Sequence, residues 1–283
     1  MNLRKAITWT LFWIILALFF NAGIYVVLGH QKAMEFMAGY VIEESLSVDN
    51  LFVFLLIFTF FKIPRDLQRR ALNYGIIGVI ILRGLMIFLG STLVAHFGWI
   101  LYVFGAFLLY SGYKIAYGAD IQVHPENNFV MRAFKRAFPV LQGYEGKNFF
   151  VKKQKRLFAT TLFVVLIVIE TTDVLFAVDS IPAVFGITTD PFIVFSSNLM
   201  AVLGLRSIYF VLERIHSLFV YVKYGVGLVL VFVGVKMLLE PIYVIGTLTS
   251  LFVVVTILAA SVILSALRNS FRTISVPPED EPI

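Results

Sequence analysis

Five carboxylates sit in stretches of sequence that are otherwise aliphatic and aromatic: Glu44, Asp49, Glu170, Asp173 and Asp179. Arg83 and Arg206 interrupt two further apolar runs. An ionisable residue at the centre of a membrane-spanning helix costs roughly 2.5–3.5 kcal/mol, so seven unpaired ones would cost roughly 20 kcal/mol, more than the net stability of an ordinary domain. They must compensate one another or a bound ion. The two arginines can neutralise two acids, and protons or a cation must balance the rest. Asn50, Ser180 and backbone carbonyls add further oxygen donors, and an all-oxygen set suits Mn²⁺, Ca²⁺ or Mg²⁺ rather than Zn²⁺ or copper. The chain has no cysteine, and His30, His96, His124 and His216 fall at expected helix ends or in loops.

Helical geometry limits how these acids can meet. Glu170 and Asp173 share a face, but Asp173 and Asp179 point about 120° apart in an unbroken helix, and Glu44 and Asp49 about 140° apart. Convergence therefore calls for a break. Pro182, which lacks a donor and crowds the carbonyl of Val178, is expected to supply one. Ser45-Leu46-Ser47 is expected to open the other helix.

The elements that position these groups follow from composition. The 283 residues are 60% hydrophobic and 14% charged, with a mean hydropathy of +0.91. Soluble domains are roughly 45–50% apolar and about a quarter charged, so a soluble globule is excluded. Runs long enough to cross about 30 Å of hydrocarbon occur at 6–28, 36–61, 71–97, 99–117, 157–185, 192–212, 218–239 and 242–267. The first begins after Arg4 and Lys5 and is longer than a cleavable signal core, which makes it a retained helix. Basic residues gather in alternate loops (Lys62, Arg65, Arg69 and Arg70, then 119–156) and in Arg268 and Arg272, so the positive-inside rule places both termini in the cytoplasm. The loop at 119–156 reads as an interfacial hairpin and 269–283 as a disordered tail. The net charge of +6 is accounted for by this sidedness, and nothing in the chain reads nucleic acid. No feature of the sequence fixes an oligomeric state.

The chain also repeats itself. Ser47-Val48-Asp49-Asn50 matches Ala177-Val178-Asp179-Ser180, Val79 to Arg83 matches Val202 to Arg206, and Gly105, Gly112 and Lys114 recur as Gly227, Gly234 and Lys236. Each unit, 36–117 and 157–239, holds three spans, and an odd number forces the units to lie upside down relative to each other. The expected fold is an all-α polytopic membrane bundle of about eight transmembrane helices containing two inverted three-helix repeats. In such folds the substrate site lies near the midplane.

Glu44 to Phe54 (ESLSVDNLFVF) and Glu170 to Phe210 (ETTDVLFAVDSIPAVFGITTDPFIVFSSNLMAVLGLRSIYF) closely resemble the paired signatures of the TerC integral membrane proteins. That family is associated with tellurium resistance and manganese export and is grouped with the lysine-exporter superfamily. The resemblance implies a bacterial inner-membrane protein whose acidic site holds Glu44, Asp49, Asn50, Glu170, Asp173, Asp179 and Ser180. Asn198 and Arg206 would fall in an adjoining motif, with Arg83, Arg206 and Asn198 balancing charge or gating. The expected activity is export of Mn²⁺ as the transported ion, in exchange for protons, with Ca²⁺ and Mg²⁺ equally compatible with the donors. Export of an amino acid or organic cation and a role in membrane-protein assembly are the competing readings. The motifs of hydrolytic enzymes are missing, so no enzymatic activity is expected.

Overall fold

The computed structural model describes residues 3–117, 134, 138–141, 143–153, 156–215 and 221–274. Eight long helices run through them: α1 (Leu3–Leu28), α2 (His30–Phe60), α3 (Arg65–His96), α4 (Ile100–Tyr117), α5 (Thr161–Phe185), α6 (Pro191–Ile215), α7 (Val222–Leu239) and α8 (Thr247–Ile274). Seven are long and apolar enough to cross a membrane. The 31-residue α2 is long enough as well, but it carries Lys32, Glu35, Glu43, Glu44 and Asp49. Large apolar side chains such as Phe19, Val26, Leu89 and Phe252 face outward, as they would toward lipid.

Local chemistry sets the helix ends. Gly29, at φ 87°, adopts the left-handed conformation that separates α1 from α2. Pro64 stands before α3, and Pro191 opens α6, where its missing N–H is no loss. The carboxylate of Asp190 accepts from the Phe192 and Ile193 N–H groups at 3.0 and 3.4 Å and so caps α6.

Several boundaries differ from the sequence reading. The last helix starts at Thr247 rather than 242, because Pro241 follows the end of α7 and Gly246 precedes α8. It continues to Ile274, into the stretch assigned to a tail, while 275–283 lies outside the described residues. The loop at 119–156 contains strands in an otherwise helical chain. β1 (Val140–Leu141) pairs parallel with β3 (Arg156–Thr160), which pairs antiparallel with β2 (Phe150–Lys153). Tyr144 ties this sheet to the turn after α2 by donating its hydroxyl to the Phe61 carbonyl at 2.7 Å, and burial pushes its phenol up to about 12.

The packing has the symmetry of an inverted repeat. Helix α2 packs on α6 as α3 packs on α5, while α2 meets α5, α3 meets α6 and α4 meets α7. The α4–α7 crossing is the closest. A Cβ added at Gly112 would lie 2.6 Å from the Gly227 carbonyl, and one at Gly234 would lie 2.7 Å from that of Gly105. The repeat relates Gly105 to Gly227 and Gly112 to Gly234, so the Gly112–Gly227 contact maps onto the Gly234–Gly105 contact, the reciprocal arrangement that a twofold axis produces. Glycine lets the two backbones touch, as small residues do between membrane helices.

Candidate functional site

Both helices that carry acids are unbroken. Helix α5 runs through Pro182 and ends three residues later, and α2 runs through Ser45-Leu46-Ser47, with Ser45 Oγ donating to the Val41 carbonyl at 2.6 Å. Pro182 sits close enough to the end of α5 that few turns remain to be kinked. The expected breaks are therefore corrected, and among the described side chains the acids do not converge in one shell. Among the described residues no three acidic or histidine side chains are gathered so as to hold a metal.

A charged centre lies where α2 and α5 cross. The Arg83 guanidinium of α3 donates through Nε and Nη2 to the two oxygens of Asp173, at 2.8 and 2.9 Å, and through Nη1 to Oε1 of Glu43. All three side chains are at most 1% exposed. Two carboxylates share one guanidinium, so in the ionised state the centre keeps one negative charge in surplus. Oε2 of Glu43 has no hydrogen-bond partner. Glu43 was missed in the sequence, where Glu44 beside it was chosen instead. The repeat contained the signal: the alignment that pairs Asp49 with Asp179 also pairs Glu43 with Asp173.

Glu43, Ser47 and Asn50 lie on one face of α2, and Asp173 and Ser180 lie on the corresponding face of α5. Ser47 Oγ, Asn50 Nδ2 and Ser180 Oγ are buried without a partner among the described residues. Helices α2 and α5 run in opposite directions, so Ser47 and Asn50 lead from the centre toward the α2–α3 turn and Ser180 leads toward the α5–α6 turn. Together they form a polar line through the bundle. Asn198 of α6, which packs on α2, is also buried with Nδ2 unpartnered.

The remaining acids occupy neighbouring faces. Glu44 turns toward Gly204 of α6, where an added Cβ would lie 3.3 Å from its Oε1. Glu170 reaches Gly78 of α3, where any side chain would have to displace its carboxylate. Asp179 accepts from Ser111 Oγ of α4 at 2.7 Å. Arg206 forms no ion pair among the described residues, and the side chain of Asp49 lies outside the description.

The two ends of the line differ. At the α2–α3 turn a cavity of about 370 Å³ is lined by Leu55, Thr59, Gln68, Tyr209 and Glu213 among others. At the α5–α6 turn Lys32 bridges Glu35 and Asp190 at 3.0 and 2.9 Å, and Thr188 donates to Glu35 at 2.6 Å. Burial works against ionisation of Asp190, but Lys32 and the Phe192 and Ile193 N–H groups outweigh it and hold the carboxyl below its ordinary value. A depressed folded value means that this stabilisation is present above the unfolded-state value and is lost as pH falls through the folded one. In thermal unfolding of detergent-solubilised protein, Asp190→Asn should therefore be less stable than wild type at neutral pH, and the gap should close in acid. A gap that persists unchanged in acid would rule out the carboxylate as its source.

A buried ion-paired centre, a polar line across the bundle and two reciprocally packed halves define a polytopic membrane protein built around intramembrane charge. The profile of the integral membrane protein TerC family matches residues 28–272, and the chain belongs to that family. It is 44% identical over 277 residues to an Escherichia coli K12 protein provisionally named as a membrane-bound redox modulator, Alx, covering 95% of this chain and 86% of the relative. An uncharacterized membrane protein of Myxococcus xanthus is 42% identical over 94% of this chain and 83% of its own length. One from Rickettsia felis is 37% identical over 95% of this chain and 90% of its own. No solved structure matches.

Proposed function

We propose that this protein moves a divalent metal cation, Mn²⁺ foremost, out of the cytoplasm in exchange for protons, by alternating the exposure of the polar line to the two sides of the membrane. The observation that carries this reading is the line itself. A centre with surplus negative charge is flanked on both sides by buried serine hydroxyls, Ser47 and Ser180, that have no partner among the described residues. Leaving such groups bare costs about 1–3 kcal/mol each, so the line favours an occupant that binds oxygen. Hard divalent cations do. Protons are the natural counter-ion, since they can neutralise the surplus carboxylate once the metal has left.

In this reading the transporter lies in a bacterial inner membrane. The end bearing Lys62, Arg65, Arg69, Arg70 and the strand residues Lys152, Lys153 and Arg156 faces the cytoplasm, by the positive-inside rule. The cavity beside Thr59 and Gln68 would then be the entrance. The name given to the Alx relatives suggests redox chemistry, but this chain has no cysteine and so no thiol couple of its own. Moving a redox-active metal would still alter the redox balance of a cell.

The reading is tested with purified protein in liposomes that enclose a dye quenched by Mn²⁺. Quenching should exceed that of protein-free vesicles, respond to a proton gradient and be unaffected by excess lysine. No flux above protein-free vesicles would overturn the reading, and competition by lysine would favour an exporter of organic cations.

A further inference from the structure

The repeat that relates Glu43 to Asp173 also relates Arg83 to Arg206. The paired acids share a single arginine, Arg83, while its counterpart forms no ion pair among the described residues. Both arginines lie in the second halves of their helices, and α3 and α6 begin at opposite ends of the bundle. Arg83 therefore approaches the acids from the α5–α6 side of the crossing, and Arg206 lies on the α2–α3 side. On Arg83's side Lys32 ties its helix to Asp190 of the α5–α6 turn, and the cavity lies on Arg206's side, where the Arg65–Glu213 pair is longer and Arg65 is largely exposed.

We infer that Arg206 is a second positioning residue for the Glu43–Asp173 pair, taking over from Arg83 when the path turns to face the other side. This rests on the transport reading above. Two inverted halves that exchange conformations exchange the environments of equivalent residues. The present state, with Arg83 engaged and Arg206 released, thus has a mirror state with the roles reversed. A guanidinium on one side of the acids both offsets one of their two charges and blocks that side, so only one face of the pair is open at a time. The handover also keeps one positive charge beside two buried carboxylates in each state, which avoids the cost of leaving them bare. Cargo entering from the open side would meet the unpaired oxygen of Glu43.

The test uses the absence of native cysteine. Leu55→Cys, at the cavity, and Ala183→Cys, beyond Ser180 toward the opposite end, are introduced singly and labelled with a charged thiol reagent. In wild type the first should label faster. Arg83→Ala should reverse the ratio by roughly tenfold, and Arg206→Ala should deepen the original bias, with Arg206→Lys restoring it. Should Arg83→Ala fail to fold, the Arg206 pair decides alone. Labelling that is unchanged by Arg206→Ala, or that rises equally at both reporters in the arginine variants, would overturn the inference. The assay needs no metal, so opposite shifts without Mn²⁺ flux would sink the choice of cargo and leave the handover standing.

Discussion

Replacing Arg83 with alanine is expected to cost about 3–5 kcal/mol of stability, the usual penalty for removing one partner of a buried ion pair. Almost none of that is the lost attraction by itself. Arg83, Glu43 and Asp173 are all but fully buried, and without the guanidinium this conformation leaves both carboxylates in a medium that cannot solvate them. The comparison that isolates the effect is Arg83→Ala in a background of Glu43→Gln and Asp173→Asn, where the variant leaves no carboxylate to be stranded. There the same substitution should be close to neutral or stabilising, because it removes a buried guanidinium that no longer has an anionic partner. Unfolding of the four proteins in detergent supplies the coupling energy. Additive losses would show that the triad is not a unit.

The sequence made the larger architecture legible and the side-chain geometry much less so. Hydrophobic run length located all eight helices because a bilayer demands about 20 apolar residues whatever the fold. The glycines at 105, 112, 227 and 234 were visible as a repeat, and their reciprocal contact follows from its inversion. The boundaries that slipped were those set by turns: His30 begins its helix earlier than hydropathy suggested because Gly29 makes the turn.

The site was harder, for physical reasons. Charge counting required the acids to be compensated, but it could not say by whom, and it led to a single shell that the helices do not form. Pro182 was read as a break because its chemistry is disruptive in mid-helix, whereas so near the end of α5 the helix absorbs it. Asp173 was placed among the metal ligands, yet both its oxygens are occupied by Arg83. Glu43 does not stand out in the sequence because Glu44 lies beside it and the residue-by-residue likeness of the two halves begins only at Ser47.

The second large effect is expected at Glu43. Glu43→Gln keeps the volume and a hydrogen-bond acceptor for Arg83, but it leaves the guanidinium balanced by Asp173 alone and removes the surplus charge that would draw in a cation. Truncating one partner of a desolvated charge pair is typically worth about 2–5 kcal/mol, which corresponds to roughly a 30- to 4000-fold loss in binding or flux. Stability should suffer far less than in Arg83→Ala, because the variant strands no charge. That combination separates a residue of the transport path from one that only holds the bundle together.

The most direct measurement is Mn²⁺ flux into dye-loaded liposomes by wild type and by Glu43→Gln, reconstituted at matched protein density after both are shown to be folded. A well-folded variant whose flux is close to that of empty vesicles is the expected result. Wild-type flux through Glu43→Gln would contradict a cation path centred on the shared acids.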